Sequence, residues 1–403
     1  MDRFLNHFGL NRDSASLTQL INQVRGEKGS YSWFIARDNF GKQLYNTGRY
    51  TQAEQVFREI LEKYEKNSYS YFMGLHRVGR CLELQGQTVQ AIDIYQQGLL
   101  IANELEMSEA TADNVKNEVK YQKGILQTDL GDALKSIGNY DEARTAYEQS
   151  LIIKKELDDL RGETVAKSQL GTLAIRQNNL EDAKRNWSDA LVIAQKLREP
   201  KSEAAAWHQL GRVYAKDKQW DEAEYAYRKS ANIFESIGNL PKAASTWNQL
   251  AIVMGYTDKY ENAEDWYRKA IEGGKAVGDN LNVSMRLSNL ADLLLKQQPN
   301  RLQEARELAE EALAIKEILD PIASEIWRTY HILAEIAYQQ KDVAKAQKYR
   351  RLGAKTMAEV TATTYRLSKF KKFISLQRHL QIKINEFSRL RYWIFLYKLC
   401  NFK

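Results

Sequence analysis

The chain has 403 residues, with 59 lysines and arginines against 52 aspartates and glutamates, so its formal net charge at pH 7 is +7. Hydrophobic residues make up 43% of the sequence and charged residues 28%, a balance that excludes a disordered chain and supplies a packed core. Two cysteines, Cys81 and Cys400, are too few for a disulfide framework or a four-ligand zinc site. With no leader sequence and no long apolar run, we expect a cytoplasmic protein.

The composition favours helix over most of the chain. Only four prolines occur, and proline costs about 3 kcal/mol in a helix interior, against about 1 for glycine. The predicted fold class is therefore all-α. In chain order, we predict an N-terminal helix and linker over 1–35, with the helix around 13–24, a repeat array over 36–358 and a C-terminal tail over 359–403.

A sequence frame recurs eight times within the array. Each copy has a small residue before a polar turn and an alanine after it, and six copies add an aromatic residue one helical turn beyond the alanine. The small residues are Gly41, Gly79, Gly131, Gly171, Gly211, Ala251, Ala291 and Ala334. The alanines are Ala53, Ala91, Ala143, Ala183, Ala223, Ala263, Ala305 and Ala346. The aromatic residues are Phe57, Tyr95, Tyr147, Trp187, Tyr227 and Tyr267.

The spacing of the alanines locates insertions in the array. From the third to the sixth copy they are 40 residues apart, whereas the step from Ala91 to Ala143 is 52. This longer step predicts one additional turn-and-helix segment around residues 100–125. Two further residues are inserted near Pro299 in the seventh copy.

The frame resembles the tetratricopeptide repeat, in a long form of about 40 residues. The resemblance implies a right-handed superhelical solenoid of antiparallel helix pairs, each with a helix A and a helix B. Small residues would let the two helices approach closely, while the aromatic residue would fill the groove between one repeat and the next. In this family, helix A lines a concave groove that binds peptide segments or partner helices.

The resemblance, carried over position by position, places partner-binding residues on the A helices. These predicted residues are Lys42, Tyr45, Arg80, Arg176, His208, Arg212, Lys216, Asn248 and Tyr256. We define Arg176, Arg212 and Lys216 as the basic cluster, which suits an acidic or carboxylate-bearing peptide. A merely solvated helix face explains the cluster equally well. Asp38 stands where the chaperone-type carboxylate clamp of some family members needs a cation, so that class of partner is not expected.

The sequence lacks a pattern that would support catalysis. Its five histidines do not have the spacing of a metal or acid–base site, and neither a nucleophile elbow nor a paired-cysteine motif occurs. We therefore predict a non-catalytic scaffold or adaptor for a protein or peptide partner. No cofactor and no metal are predicted.

The tail differs sharply from the repeats in charge. Residues 361–403 contain ten basic residues and one acid, a charge of +9, so the preceding 360 residues carry −2. Apolar residues recur every three or four positions from Phe373 to Tyr397, which predicts a basic amphipathic helix. It could cap the last repeat, lie on an anionic membrane, bind another partner or be a sequence end without a function. Nucleic acid is disfavoured because no recognition fold accompanies the charge. The alternative function is therefore a membrane-associated assembly or regulatory factor.

Overall fold

The computed structural model describes residues 29–297 and 301–362. The helix predicted around 13–24, Pro299 and the predicted tail from residue 363 onward lie outside these ranges. All the regular structure within the described ranges is helical. The all-α prediction is confirmed.

The helices follow one another with short connections and are numbered here in chain order. They are α1 (Tyr31–Asn46), α2 (Tyr50–Leu61), α3 (Tyr69–Leu84), α4 (Thr88–Met107), α5 (Asp113–Ile137), α6 (Tyr140–Glu156), α7 (Leu160–Arg176), α8 (Leu180–Lys196), α9 (Pro200–Lys216), α10 (Trp220–Ser236), α11 (Leu240–Tyr256), α12 (Tyr260–Ala276), α13 (Asn280–Gln297), α14 (Leu302–Lys316), α15 (Pro321–Ser324), α16 (Ile326–Gln339) and α17 (343–362). The A helices of the eight repeats are α1, α3, α5, α7, α9, α11, α13 and α16.

The described residues divide into two compact units, one ending at Asp217 and the other beginning at Lys218, called unit 1 and unit 2 below. Helices α1 to α9 belong to unit 1. Within unit 1, each helix from α1 to α8 packs against the helix that follows it, as expected for antiparallel hairpins with short turns. The same arrangement continues within unit 2 from α10 to α14 and then to α16.

The recurring alanines are the most deeply buried part of the frame. Seven of them are fully buried and Ala346 is 2% exposed. Four of the small residues lie directly beneath an aromatic ring of their own repeat. A Cβ atom built on Gly79 would be 2.2 Å from Tyr95 Cε1, and one on Gly131 would be 2.5 Å from Tyr147 Cε1. In these four repeats the aromatic residue therefore closes the contact between helices A and B.

The first described helix begins inside the segment predicted as linker. Ser30 caps α1, because its Oγ accepts a hydrogen bond from the Trp33 backbone N–H at 3.3 Å. Such a cap satisfies one of the free amides at a helix start. At the other end of the described chain, the helix over 343–362 continues past residue 358.

The prediction of an extra turn-and-helix segment around residues 100–125 was wrong. The added residues lengthen two existing helices instead: α4 has 20 residues and α5 has 25, joined by a connection over 108–112. Leu105 and Val119, in the added turns, are 7% and 0% exposed. Because these residues continue the apolar stripes of their helices, extending the helices buries more apolar surface than a new exposed segment would.

Candidate partner-binding face

Polar side chains connect neighbouring A helices of unit 1. Between α1 and α3, Arg77 Nη1 donates a hydrogen bond to Asp38 Oδ1. Between α3 and α5, His76 Nε2 lies 2.7 Å from Asp129 Oδ2. Between α5 and α7, Lys135 Nζ donates to Gln169 Oε1 at 2.9 Å. These contacts form a row of fixed polar groups across α1, α3, α5 and α7, which we call the unit 1 face.

The predicted residues on α1 and α3 already have partners within the unit 1 face. Lys42 pairs with Asp38 at 2.8 Å. The guanidinium carbon of Arg80 lies 5.7 Å from the centroid of the Tyr45 ring, within cation–π range, and its Nε is 3.7 Å from Asp129 Oδ2. Burial raises the pKa of the Tyr45 phenol. These residues are held in place, so a ligand would meet a preformed surface there.

The structure brings the basic cluster together at the C-terminal turns of α7 and α9. Lys216 Nζ donates a hydrogen bond to the carbonyl oxygen of Ile175 at 3.4 Å, next to Arg176. Arg212 lies one helical turn before Lys216 on α9 and donates to Gln209 Oε1 at 2.7 Å. All three cations are exposed, and none forms an ion pair within residues 29–297 and 301–362. His208, half-buried, lies one further turn back on α9.

The remaining two predicted residues belong to unit 2. Asn248 on α11 accepts a hydrogen bond from Asn289 Nδ2 on α13 at 3.5 Å. The Tyr256 ring stacks on Trp220, with centroids 5.1 Å apart and planes at 9°, while 68% of Tyr256 remains exposed. These two residues are therefore separate candidates on unit 2.

Buried phenols anchor two carboxylates behind the unit 1 face. Tyr95 donates its hydroxyl proton to Glu83 Oε2 at 3.0 Å, and Tyr147 donates to Asp132 Oδ1 at 2.7 Å. Burial raises the pKa of the Tyr95 and Tyr147 phenols, and also that of Glu83. Both phenols therefore keep their protons near neutral pH and remain donors. The aromatic residues of these repeats thus position surface carboxylates as well as filling the core.

The sequence prediction missed Asp129 and Gln169, which make cross-helix contacts. Each lies two residues before the small residue of its repeat, and the same position recurs as a polar residue in most copies. The polar residues there are Asn39, Arg77, Asp129, Gln169, Gln209, Gln249 and Asn289. This recurrence could have identified the position. The apolar periodicity alone assigns it to the exposed side of the helix and does not predict a contact.

No cluster of three or more His, Cys, Asp or Glu side chains that could hold a metal ion occurs in the described part of the chain. The described helices include none with the length and apolarity needed to cross a membrane. Cys81 is buried, which raises the pKa of its thiol to about 12, so it stays protonated and unreactive.

Comparison with known proteins agrees with the repeat frame. Two tetratricopeptide repeat family models match residues 126–157, 163–236 and 242–318. The chain contains tetratricopeptide repeats. No curated protein matches it significantly.

Solved structures of similar fold include three helical repeat proteins. The apo form of the quorum sensor NprR from B. thuringiensis is 15% identical, with 88% of this chain and 95% of that chain covered and a TM-score of 0.58. The apo form of RapI is 14% identical, with coverage of 72% and 99% and a TM-score of 0.54. A signal transduction ATPase with a tetratricopeptide repeat sensor, from Pyrococcus horikoshii, is 14% identical, with coverage of 87% and 56% and a TM-score of 0.56. At these identities the likeness is one of fold.

Proposed function

We propose that this tetratricopeptide-repeat protein is a non-catalytic cytoplasmic scaffold or adaptor that binds an acidic peptide segment or partner helix in unit 1. The basic cluster carries the proposal. Its three cations lie on two adjacent helix ends, are exposed, and have no carboxylate partner within the described ranges. Arginine and lysine side chains placed this way can donate charge-assisted hydrogen bonds to carboxylates of a partner.

A contrast with the B helices of unit 1 supports this proposal. There, several arginines are neutralised by the protein itself. Arg58 Nε lies 2.8 Å from Glu54 Oε1, and Asp182 receives both Arg185 at 2.6 Å and Arg144 at 3.4 Å. The basic cluster lacks such internal carboxylates, so its positive charge remains available to a partner. The fixed polar row beside it would limit the side-chain ordering that binding requires.

The fold comparisons support the same general role. NprR is a quorum sensor, and the Pyrococcus protein carries its tetratricopeptide repeats as a sensor. We infer that the present repeats likewise serve recognition, with any output delivered by the bound partner.

Charge reversal of the basic cluster tests the proposal. In the variant R176E/R212E/K216E, we expect recovery of partners from a lysate of the native host to fall at least about tenfold, because each lost charge-assisted contact costs about 1.5–3 kcal/mol. Quantitative affinity-purification mass spectrometry measures the recovery. Circular dichroism checks that the variant is folded.

The matched control reverses three exposed cations at the ends of other helices in unit 1. These are Lys155, Lys196 and Arg198, at or just after the ends of α6 and α8. The control variant changes the net charge by the same amount and should retain the partners. Unchanged recovery with the first variant, or equal loss with the control, would contradict the proposal.

The alternative function rests on the tail sequence, whose charge over 361–403 is +9. If the tail binds membranes, the full-length chain will float with vesicles containing anionic lipid, whereas a 1–360 truncation will not. Flotation assays at low and high salt measure both. Equal flotation of the two proteins would exclude membrane attachment through the tail.

A further inference from the structure

Unit 2 contains a cavity of about 150 Å³. Helix α13 contributes Asn289 and Asp292 to its lining, α14 contributes Lys316, and the start of α16 contributes Arg328, with Glu325 just before it. A cavity of this volume is large enough for a molecule of about the size of benzene. The space therefore suits a small molecule or the end of one side chain.

The cavity is lined by a buried amine. Lys316 is only 2% exposed, and no side chain in the described ranges forms an ion pair with its ammonium group. Burial, with a smaller contribution from the nearby Arg328, lowers the pKa of Lys316 to about 8, although Glu325 opposes the change. A buried charge without a partner is costly to the fold, so a complementary group from outside would be bound favourably.

The other charges around the cavity are largely satisfied. Arg328 Nη1 lies 2.9 Å from Glu325 Oε2, and Asp292 Oδ2 lies 2.6 Å from Lys296 Nζ. Asp292 thus pairs with a lysine outside the lining, and among the described residues Lys316 is the cation of the lining without an ion-pair partner. Because two carboxylates stand nearby, a ligand with a single negative charge fits better than a dianion such as phosphate.

The remaining lining determines what should be attached to the negative group. Met285, Trp327 and Ile332 present apolar surface to the cavity, and Asn289 adds an amide. An apolar wall favours a short hydrocarbon chain, and the amide offers a second hydrogen-bond donor to an acid group.

The backbone beside the cavity is strained. Glu325 has φ +47°, in the left-handed region, between α15 and α16, and the adjacent Ser324 hydroxyl is buried without a hydrogen-bond partner. Six other non-glycine residues in the described ranges adopt this conformation just after a helix end, so the buried hydroxyl without a partner is the feature that bears on the cavity. This observation is independent of the charge of Lys316.

We propose that the cavity binds a monocarboxylate bearing a short hydrocarbon chain, with its carboxylate against Lys316 and Asn289. A free small acid and the carboxylate of a peptide present the same chemistry. The site is separate from the basic cluster and does not depend on the function proposed for unit 1.

Butyrate and its neutral counterpart butyramide test the site on the full-length protein. Butyrate should raise the midpoint temperature of unfolding saturably, by about 5 °C at 100 times its Kd, and butyramide should not. In K316M the rise should disappear. The control K275M removes an exposed lysine that pairs with Glu311 at 2.7 Å, and it should keep the rise. If K316M does not fold, K316Q replaces it.

A dipeptide distinguishes the two sources of the carboxylate. N-acetyl-Gly-Val with a free carboxyl end is compared with its amide in the same assay. A rise with butyrate supports a free acid as ligand, whereas a rise with the dipeptide acid alone supports a peptide end. The variant R176E/R212E/K216E should retain either rise. The proposal is overturned if neither carboxylate stabilises the protein, or if K316M and K316Q respond as the wild type does.

Discussion

Gly79→Ala will destabilise the protein by about 3 kcal/mol. The new methyl carbon would lie 2.2 Å from Tyr95 Cε1, far inside van der Waals contact. The Tyr95 ring cannot move aside easily, because it is fully buried and its hydroxyl is bonded to Glu83. Alanine is favoured over glycine in a helix by only about 1 kcal/mol. The cost of overpacking is larger, so the free energy of unfolding decreases. Urea unfolding followed by circular dichroism measures the loss.

Gly255→Ala is the matched control, since this glycine is also helical but its added methyl would be 3.4 Å from Leu293 Cδ1, an ordinary contact. We expect it to leave stability unchanged or raise it by up to about 1 kcal/mol. Replacing Tyr95 by leucine in the Gly79→Ala background should recover part of the loss. Were Gly79→Ala as stable as the wild type, the contact of ring and glycine would not limit the approach of the two helices.

Lys316→Met should stabilise the protein by about 3 kcal/mol at pH 7 in a buffer without carboxylates. Burial lowers the lysine pKa from 10.5 to about 8. Between these values the unfolded chain holds a proton that the folded chain has released, so wild-type stability rises with pH across this window. Below about pH 8 Lys316 is protonated in both the folded and the unfolded chain, so the folded state bears the full free-energy cost of burying its charge. Methionine carries no charge and avoids it.

The advantage of K316M should therefore shrink as the pH rises from 7 to 10. Urea unfolding of both proteins at several pH values measures this difference, from which contributions common to the two proteins cancel. K275M, which removes an exposed lysine, should show a small difference that does not vary over the same range. An advantage of K316M that is constant from pH 7 to 10 would show that Lys316 does not titrate as its burial requires.

The repeat frame was predictable because it is local and periodic. The turns, the buried alanines and the small residues all depend on contacts between adjacent helices of similar sequence, and Ala53 to Ala346 are buried as the frame requires. The lengthening of α4 and α5 was not predicted, because an insertion of that size is compatible with either longer helices or a new segment. Only the burial of Leu105 and Val119 distinguishes these outcomes.

The candidate sites were less predictable, since they depend on which side chains meet across helices. Asp129 on α5 contacts His76 and Arg80 on α3. The spacing of residues along one helix does not reveal such a contact. Lys316 did leave a signal. It continues the buried stripe of Ala305, Ala309 and Ala312 on α14, and a lysine in such a stripe is either paired or exposed to a cavity.

Through the phenol–carboxylate hydrogen bonds, buried residues of the repeats determine where carboxylates are held at the surface. Tyr95 and Tyr147 each hold an acidic group, whereas Phe57 has no hydroxyl and the indole N–H of Trp187 is buried without an acceptor. Phenylalanine and tyrosine differ only by the hydroxyl group, so exchange between these two changes packing little. It would nevertheless release or immobilise a surface carboxylate. Specificity for partners can therefore diverge between related chains through core positions that never touch a ligand.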